Sequence, residues 1–132
     1  MTTQSKTTAA EMVAEAKRNV ENLAPAQVVA ELRDGDPLLV DLREPNERAE
    51  QGVIGAAVHA ARGMLEFIAD PTSAYHRPEF RLDRRVILHC ASGGRSALAA
   101  VTLAQLGYTD VAHLDGGLRA WKEQGLPVEA GD

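Results

Sequence analysis

Val86-Ile87-Leu88-His89-Cys90-Ala91-Ser92-Gly93-Gly94-Arg95-Ser96 decides how this chain folds. Its opening run of branched and bulky apolar residues reads as a short strand buried on both faces, and adjacent glycines end it in a tight loop. Residues 96–106, almost all small or apolar, then read as a helix that stops at Gly107. An apolar strand feeding a helix through a glycine loop points to a parallel sheet covered on both faces.

The flanking sequence repeats the pattern. Pro37 introduces a second apolar strand, Leu38-Leu39-Val40, ending at Asp41, and residues 111–114 form a third. Pro25 suits a first helical position, Val28, Val29 and Leu32 give that helix an apolar face, and Gly35 closes it. A short charged helix follows Pro45, a further turn or two lies within residues 64–68, and residues 70–78 form a loop. After Asp115-Gly116-Gly117 a last helix carries Leu118 and Trp121 and stops at Gly125 and Pro127. The fold expected is a three-layer α/β domain, its central, mostly parallel sheet of about five strands flanked by helices.

Residues 9–23 are helix-compatible, with Met12, Val13, Ala16, Val20 and Leu23 near one stripe. The boundary falls beside this helix: residues 1–24 are an N-terminal helical extension and residues 25–130 the domain proper. The extension is a packing helix or a dimer contact, so the chain is expected as a monomer or weak homodimer. No repeat or low-complexity linker interrupts it.

Composition narrows the function. With 45% hydrophobic and 25% charged residues, 132 residues suffice for one packed core. A net charge of −5 argues against nucleic acid or an anionic membrane as partner, but a local cluster of donors can still take a small anion. No apolar run approaches the roughly 18 residues of a membrane span, and residues 1–10 lack the apolar core of a secretory signal, so a cytoplasmic location is expected. One cysteine excludes an intrachain disulfide and a multi-thiolate zinc site. His76 and His113 have no spacing with acidic residues that suggests a metal, and no metal or cofactor is expected.

The chemistry gathers around that cysteine. In an open parallel sheet, ligands bind beyond the carboxyl ends of strands, where Cys90 stands. Gly93 and Gly94 let the backbone curl until successive N–H groups point at one spot, and the following helix adds its own unpaired N–H groups and positive dipole end. Ala91, Ser92, Gly93, Gly94 and Ser96 thus form an anion cradle that favours thiolate over thiol at Cys90. Arg95 adds forked donors suited to a sulfur or phosphorus oxyanion. Ser92 and Asp115 are each expected to cap the helix that follows. As physics alone, this is a nucleophilic thiolate facing an anion.

The segment resembles the active-site loop of rhodanese-like domains, and the resemblance extends from Pro25 to Val128. Leu39-Val40-Asp41-Leu42-Arg43-Glu44 is similar to the family's first strand end, and residues 52–63 to its glycine- and proline-rich turn. Leu106-Gly107-Tyr108, residues 111–117, Ala120-Trp121 and Gly125-Leu126-Pro127-Val128 are similar to its C-terminal signature. Val53, Gly55 and Ala56 depart from the family's usual His, Pro and Gly. The spacing Cys-x4-Arg resembles the sulfurtransferase form, whereas related phosphatases and arsenate reductases use a loop one residue longer.

The resemblance implies a sulfurtransferase. Cys90 takes sulfur from a small sulfur-containing anion such as thiosulfate, becomes a persulfide, and passes the sulfur to cyanide or a thiol. Arg95 would hold the donor's sulfonate end. Asp41 and Arg43 would brace the loops, with Arg62 and Glu66 as further supports or as a surface pair. His89, whose side chain leaves the opposite face of the strand, is not assigned as a base, because a thiolate already formed attacks directly. His59 is read as a bridge between loops and Trp121 as core. The alternatives are a persulfide carrier or binding module for a protein sulfur donor or acceptor, and an arsenate- or phosphate-directed thiolate enzyme of the same fold.

Overall fold

The computed structural model describes residues 6–131. Alternation along each strand builds the layers. Val86, Leu88 and Cys90 face one side of the sheet with Leu38 and Val40, while Ile87 and Leu39 face the other. The strands are β1 (Glu21–Leu23), β2 (Leu38–Asp41), β3 (Val58–His59), β4 (Val86–His89) and β5 (Val111–Leu114), in the spatial order β1-β5-β4-β2-β3. Every neighbouring pair is parallel.

Helices α1 (Ala9–Asn19), α4 (Leu65–Ala69) and α5 (Gly94–Gln105) lie on the Cys90 side, where Ala99, Ala100 and Leu103 of α5 meet Leu88 and Phe80. On the other side α2 (Pro25–Asp34) and α6 (Gly117–Glu123) bring Val28, Leu118 and Trp121 onto Leu39, Ile87 and Leu114. Trp121 is core, its indole N–H donating to Pro127 O at 2.9 Å. α3 (Pro45–Gln51) follows β2 at the sheet's carboxyl edge. Among the described residues no helix is long and apolar enough to cross a membrane.

The N-terminal segment differs from its reading as one helix over residues 9–23. The helix ends at Asn19, and residues 21–23 form the edge strand β1, paired with β5 through Asn22↔His113 and Leu23↔Leu114. Glu21 and Asn22 are polar and exposed, so nothing local marks a strand; the open edge of β5 supplies the partner. Residues 1–5 of the expected extension lie outside the described residues.

Val53 and Gly55, two of the departures, lie where the C-terminal segment docks. Val53 exchanges backbone hydrogen bonds of 2.8 Å with Glu129, docking the C-terminal segment. A side chain at Gly55 would fall 1.8 Å from the Glu129 carboxylate.

Candidate active site

β4 delivers Cys90 to the carboxyl edge of the sheet, where its backbone changes direction. Gly93 has φ +102° and is the residue before α5, so the loop turns in the left-handed region that glycine tolerates best. The fold of this loop turns three groups toward sulfur. Gly93 N–H donates to Sγ at 3.2 Å and Ser96 N–H at 3.4 Å, while the Ser96 hydroxyl oxygen lies 3.5 Å from Sγ as acceptor of the thiol. Two N–H groups therefore reach the sulfur, fewer than the full ring of Ala91 to Ser96. Ser92 is exposed and does not cap α5, whose N-cap is Gly93 with no side-chain cap bond. Cys90 itself is 1% exposed, so the loop shields its sulfur from bulky reagents.

A second helix start clamps the loop from behind. Leu118 N–H donates to Cys90 O at 2.9 Å and Arg119 N–H to Ala91 O at 3.0 Å. The first turn of α6 thus satisfies its unpaired donors with carbonyls of the cysteine loop rather than with a side chain. That is why Asp115 is not the cap: Gly116, at φ +80°, holds the position, and Asp115 instead pairs with Lys17 of α1 at 3.0 Å. At Gly117 a side-chain carbon would lie 2.6 Å from Cys90 O and from the Ala91 carbonyl carbon, so the approach needs glycine.

Arg95 is part-exposed and already paired. Its Nη1 and Nη2 donate to the two carboxylate oxygens of Glu47 on α3, each at 2.8 Å. Hydrogen bonding from Arg95 outweighs desolvation and holds the Glu47 carboxyl at about 2. The same pairing, helped by the nearby Cys90 sulfur, raises the guanidinium above its ordinary value. In the sequence Glu47 is only one residue of a short charged helix. Its signal, an acidic residue in the first turn after Pro45, gives no hint of a partner 48 residues away.

Asp41 and Arg43 lie wholly buried beside the end of β4. Arg43 Nε and Nη2 donate to the two Asp41 oxygens at 3.0 and 2.9 Å, and Nη2 also reaches Gly52 O at 2.8 Å. Arg48, a residue the sequence did not single out, adds a third side-chain donor to Asp41 at 2.7 Å. His59 bridges to Arg43 O at 2.6 Å. Arg62 and Glu66 are turned to each other at 2.9 Å, with Arg62 also 3.4 Å from Thr102 on α5; among the described residues neither bonds to the cysteine loop. Among those residues, too, no three His, Cys, Asp or Glu side chains come together as a group able to hold a metal.

Two buried histidines flank the site, both held neutral by burial. His89 is pushed below its ordinary value chiefly by desolvation, against the pull of Asp41. His113 is pushed down to about 4, again by burial first, with Asp115 opposing and Lys17 assisting. An unfolded histidine binds a proton below pH ~6.5 while these folded ones do not, so stability falls as pH drops from about 6.5 toward 4. We expect the unfolding free energy to be lower at pH 5 than at pH 7, with His113 accounting for about 2 kcal/mol. Urea titrations at both pH values check this. An equal pH dependence in His113→Leu would show that the histidine is not its source.

Comparisons with known proteins show the family and the fold. A family model described as rhodanese-like domain matches residues 24–124. A sulfurtransferase of Allochromatium vinosum is 39% identical over 95 residues, covering 72% of this chain and 80% of the relative. The thiosulfate sulfurtransferase GlpE of Pseudomonas aeruginosa is 30% identical over 102 residues, 77% of this chain and 84% of the relative. Among solved structures, a Rhodopseudomonas palustris protein of unknown function, described as a possible tyrosine phosphatase, superposes with a TM-score of 0.89. It is 38% identical, over 98% of this chain and 99% of that one.

Proposed function

Because the chain belongs to the rhodanese-like domain family, we propose that it is a sulfurtransferase that carries sulfane sulfur as a persulfide on Cys90. The observation that carries this reading is the six-residue turn from Cys90 to Arg95 at the end of β4, with the N–H groups of Gly93 and Ser96 aimed at Sγ. The names of the Allochromatium and Pseudomonas relatives support sulfur transfer as the reaction class.

The reaction has two halves. The Cys90 thiolate attacks the outer sulfur of a donor such as thiosulfate; the donor's S–S bond breaks, and sulfite leaves with the bonding pair. The persulfide carries its negative charge on the terminal sulfur, and the N–H groups and the positive end of α5 stabilise it. Cyanide or a thiolate then attacks that outer sulfur, the new S–S bond breaks, and Cys90 returns as thiolate. This is covalent ping-pong catalysis. Arg95 supplies the positive charge for an anionic donor; its guanidinium carries more N–H donors than the two that Glu47 takes. Glu47 sets the angle of that guanidinium. The shielding of Cys90 favours a small donor and acceptor, or a protein that presents its sulfur on an extended arm. A free thiol as the working group suits a reducing compartment, and we place the protein in the cytoplasm.

The test is thiocyanate formation from thiosulfate and cyanide, with intact-mass analysis after thiosulfate alone. Turnover together with one added sulfur is the expected result. An added sulfur that cyanide and small thiols remove only slowly would make the chain a carrier for a protein partner. The Rhodopseudomonas structure's description motivates a parallel assay with a phosphotyrosine analogue. Phosphate release without sulfur loading would overturn the sulfurtransferase reading.

A further inference from the structure

Ser96 does more than offer its N–H to sulfur. Its hydroxyl lies 3.5 Å from Cys90 Sγ and 2.9 Å from Nδ1 of His113, and Nε2 of His113 lies 2.7 Å from Oδ1 of Asn22. The chain Cys90–Ser96–His113–Asn22 thus runs from the nucleophile through α5 and β5 to the edge strand β1. The ring also packs against the cradle: a side-chain carbon at Gly93 would meet His113 Cε1 at 3.7 Å.

The direction of this chain is fixed at its far end. Asn22 Nδ2 donates to Lys17 O at 2.8 Å and to Val20 O at 3.1 Å, so its Oδ1 is the atom presented to His113. Nε2 of His113 must then carry the hydrogen and donate to Oδ1, which leaves Nδ1 as an acceptor. Nδ1 takes the Ser96 hydroxyl hydrogen, and the Ser96 oxygen is left to accept from the Cys90 thiol. Each group has one role, and together they define a path for one proton.

We propose that Ser96 and His113, oriented by Asn22, take up the thiol proton of Cys90 when its sulfur becomes a nucleophile. The S–H bond breaks as its proton passes to Ser96 Oγ, while the Ser96 proton passes to Nδ1 of His113. Thiolate and imidazolium replace thiol and imidazole, and the net charge of the pair stays zero. In the product state His113 donates to Ser96 and Ser96 donates to the sulfur, so the reversed chain holds the anion it created. The reverse transfer returns the proton to Cys90 when the sulfur is again a resting thiol. The groups facing the ring are Asn22 from β1, Ser96 from α5, Lys17 from α1 and Asp115 beyond β5. The buried ring alone is a weak base; the negative charge forming on sulfur is what makes it hold the proton, a mutual effect of two coupled groups. Ser96 touches the reacting atom, whereas His113 and Asn22 are positioning residues. This inference deepens the sulfurtransferase reading and rests on Cys90 being its nucleophile.

The test needs no sulfur transfer. Cys90 is the sole cysteine, so its thiolate is followed by ultraviolet absorbance across pH against a Cys90→Ser blank, and by the pH profile of iodoacetamide alkylation. Ser96→Ala and His113→Leu are expected to lower the thiolate fraction and the alkylation rate near neutral pH about tenfold, a shift of about one pH unit. The high-pH plateau should stay at the wild-type level. Asn22→Asp gives up the two bonds to Lys17 O and Val20 O but keeps an oxygen on Nε2, now with a full negative charge, and is expected to move both profiles the opposite way, which a folding defect does not mimic. Profiles of Ser96→Ala and His113→Leu that superimpose on wild type would overturn the proposal, as would a fall at the plateau alone. Shifted profiles without thiocyanate formation would sink the sulfurtransferase reading and leave the proton path standing. Thiocyanate formation with unshifted profiles would do the reverse.

Discussion

Replacing Cys90 with serine is expected to abolish sulfur loading and to lower thiocyanate formation by on the order of 10⁴-fold or more, to background. A serine hydroxyl fits the space of the thiol and keeps the two N–H donors of Gly93 and Ser96 at hand, so the fold should survive. It cannot supply the same nucleophile, because sulfur gives a far more stable anion and a more polarisable lone pair at neutral pH. Intact mass after thiosulfate treatment should show one added sulfur in the wild type and none in Cys90→Ser. Residual turnover in the variant would mean that thiosulfate and cyanide react elsewhere on the protein, and would remove Cys90 from the centre of the mechanism.

The largest expected loss of stability lies one strand away. Asp41→Ala strips both carboxylate oxygens from Arg43, which is fully buried and already has Nη1 without a hydrogen-bond partner among the described residues. Arg48 loses its 2.7 Å bond to the same carboxylate. Burial works to raise the Asp41 carboxyl, but the Arg43 hydrogen bonds and the surrounding charges outweigh it and hold the group at about 2. The carboxylate's contribution is therefore present above its unfolded value near 4 and is lost only as pH falls toward 2. Removing one partner leaves a buried guanidinium uncompensated, which costs about 3–5 kcal/mol. The damage should reach the site as well: Asp41 pairs in register with His89, and Leu42 N–H donates to His89 O at 2.9 Å, next to the cysteine. Chemical denaturation of Asp41→Ala beside Asp41→Asn measures the effect. Losses below about 1 kcal/mol in both would show that water or another group takes the place of the carboxylate.

By itself the sequence determined the three central strands of the sheet and the loop that carries the proposed nucleophile. Runs such as Leu38-Leu39-Val40 and Val86-Ile87-Leu88 are apolar on both faces and are buried on both here, as strands of a helix-covered parallel sheet are. Cys90, Gly93 and Arg95 are adjacent in the chain, so the loop's chemistry needed no knowledge of distant parts. Tertiary structure decided everything that joins remote segments. The strand at residues 21–23 is polar and short and exists because β5 offers an open edge. The capping positions went to Gly93 and Gly116, both in the left-handed region, and the first turn of α6 gives its N–H groups to the Cys90 and Ala91 carbonyls. Glu47 meets Arg95 across 48 residues, and Asn22 meets His113 across 91. Local propensity and hydrophobic period act over a few neighbours, whereas a hydrogen bond between distant segments forms only where packing has already placed both ends.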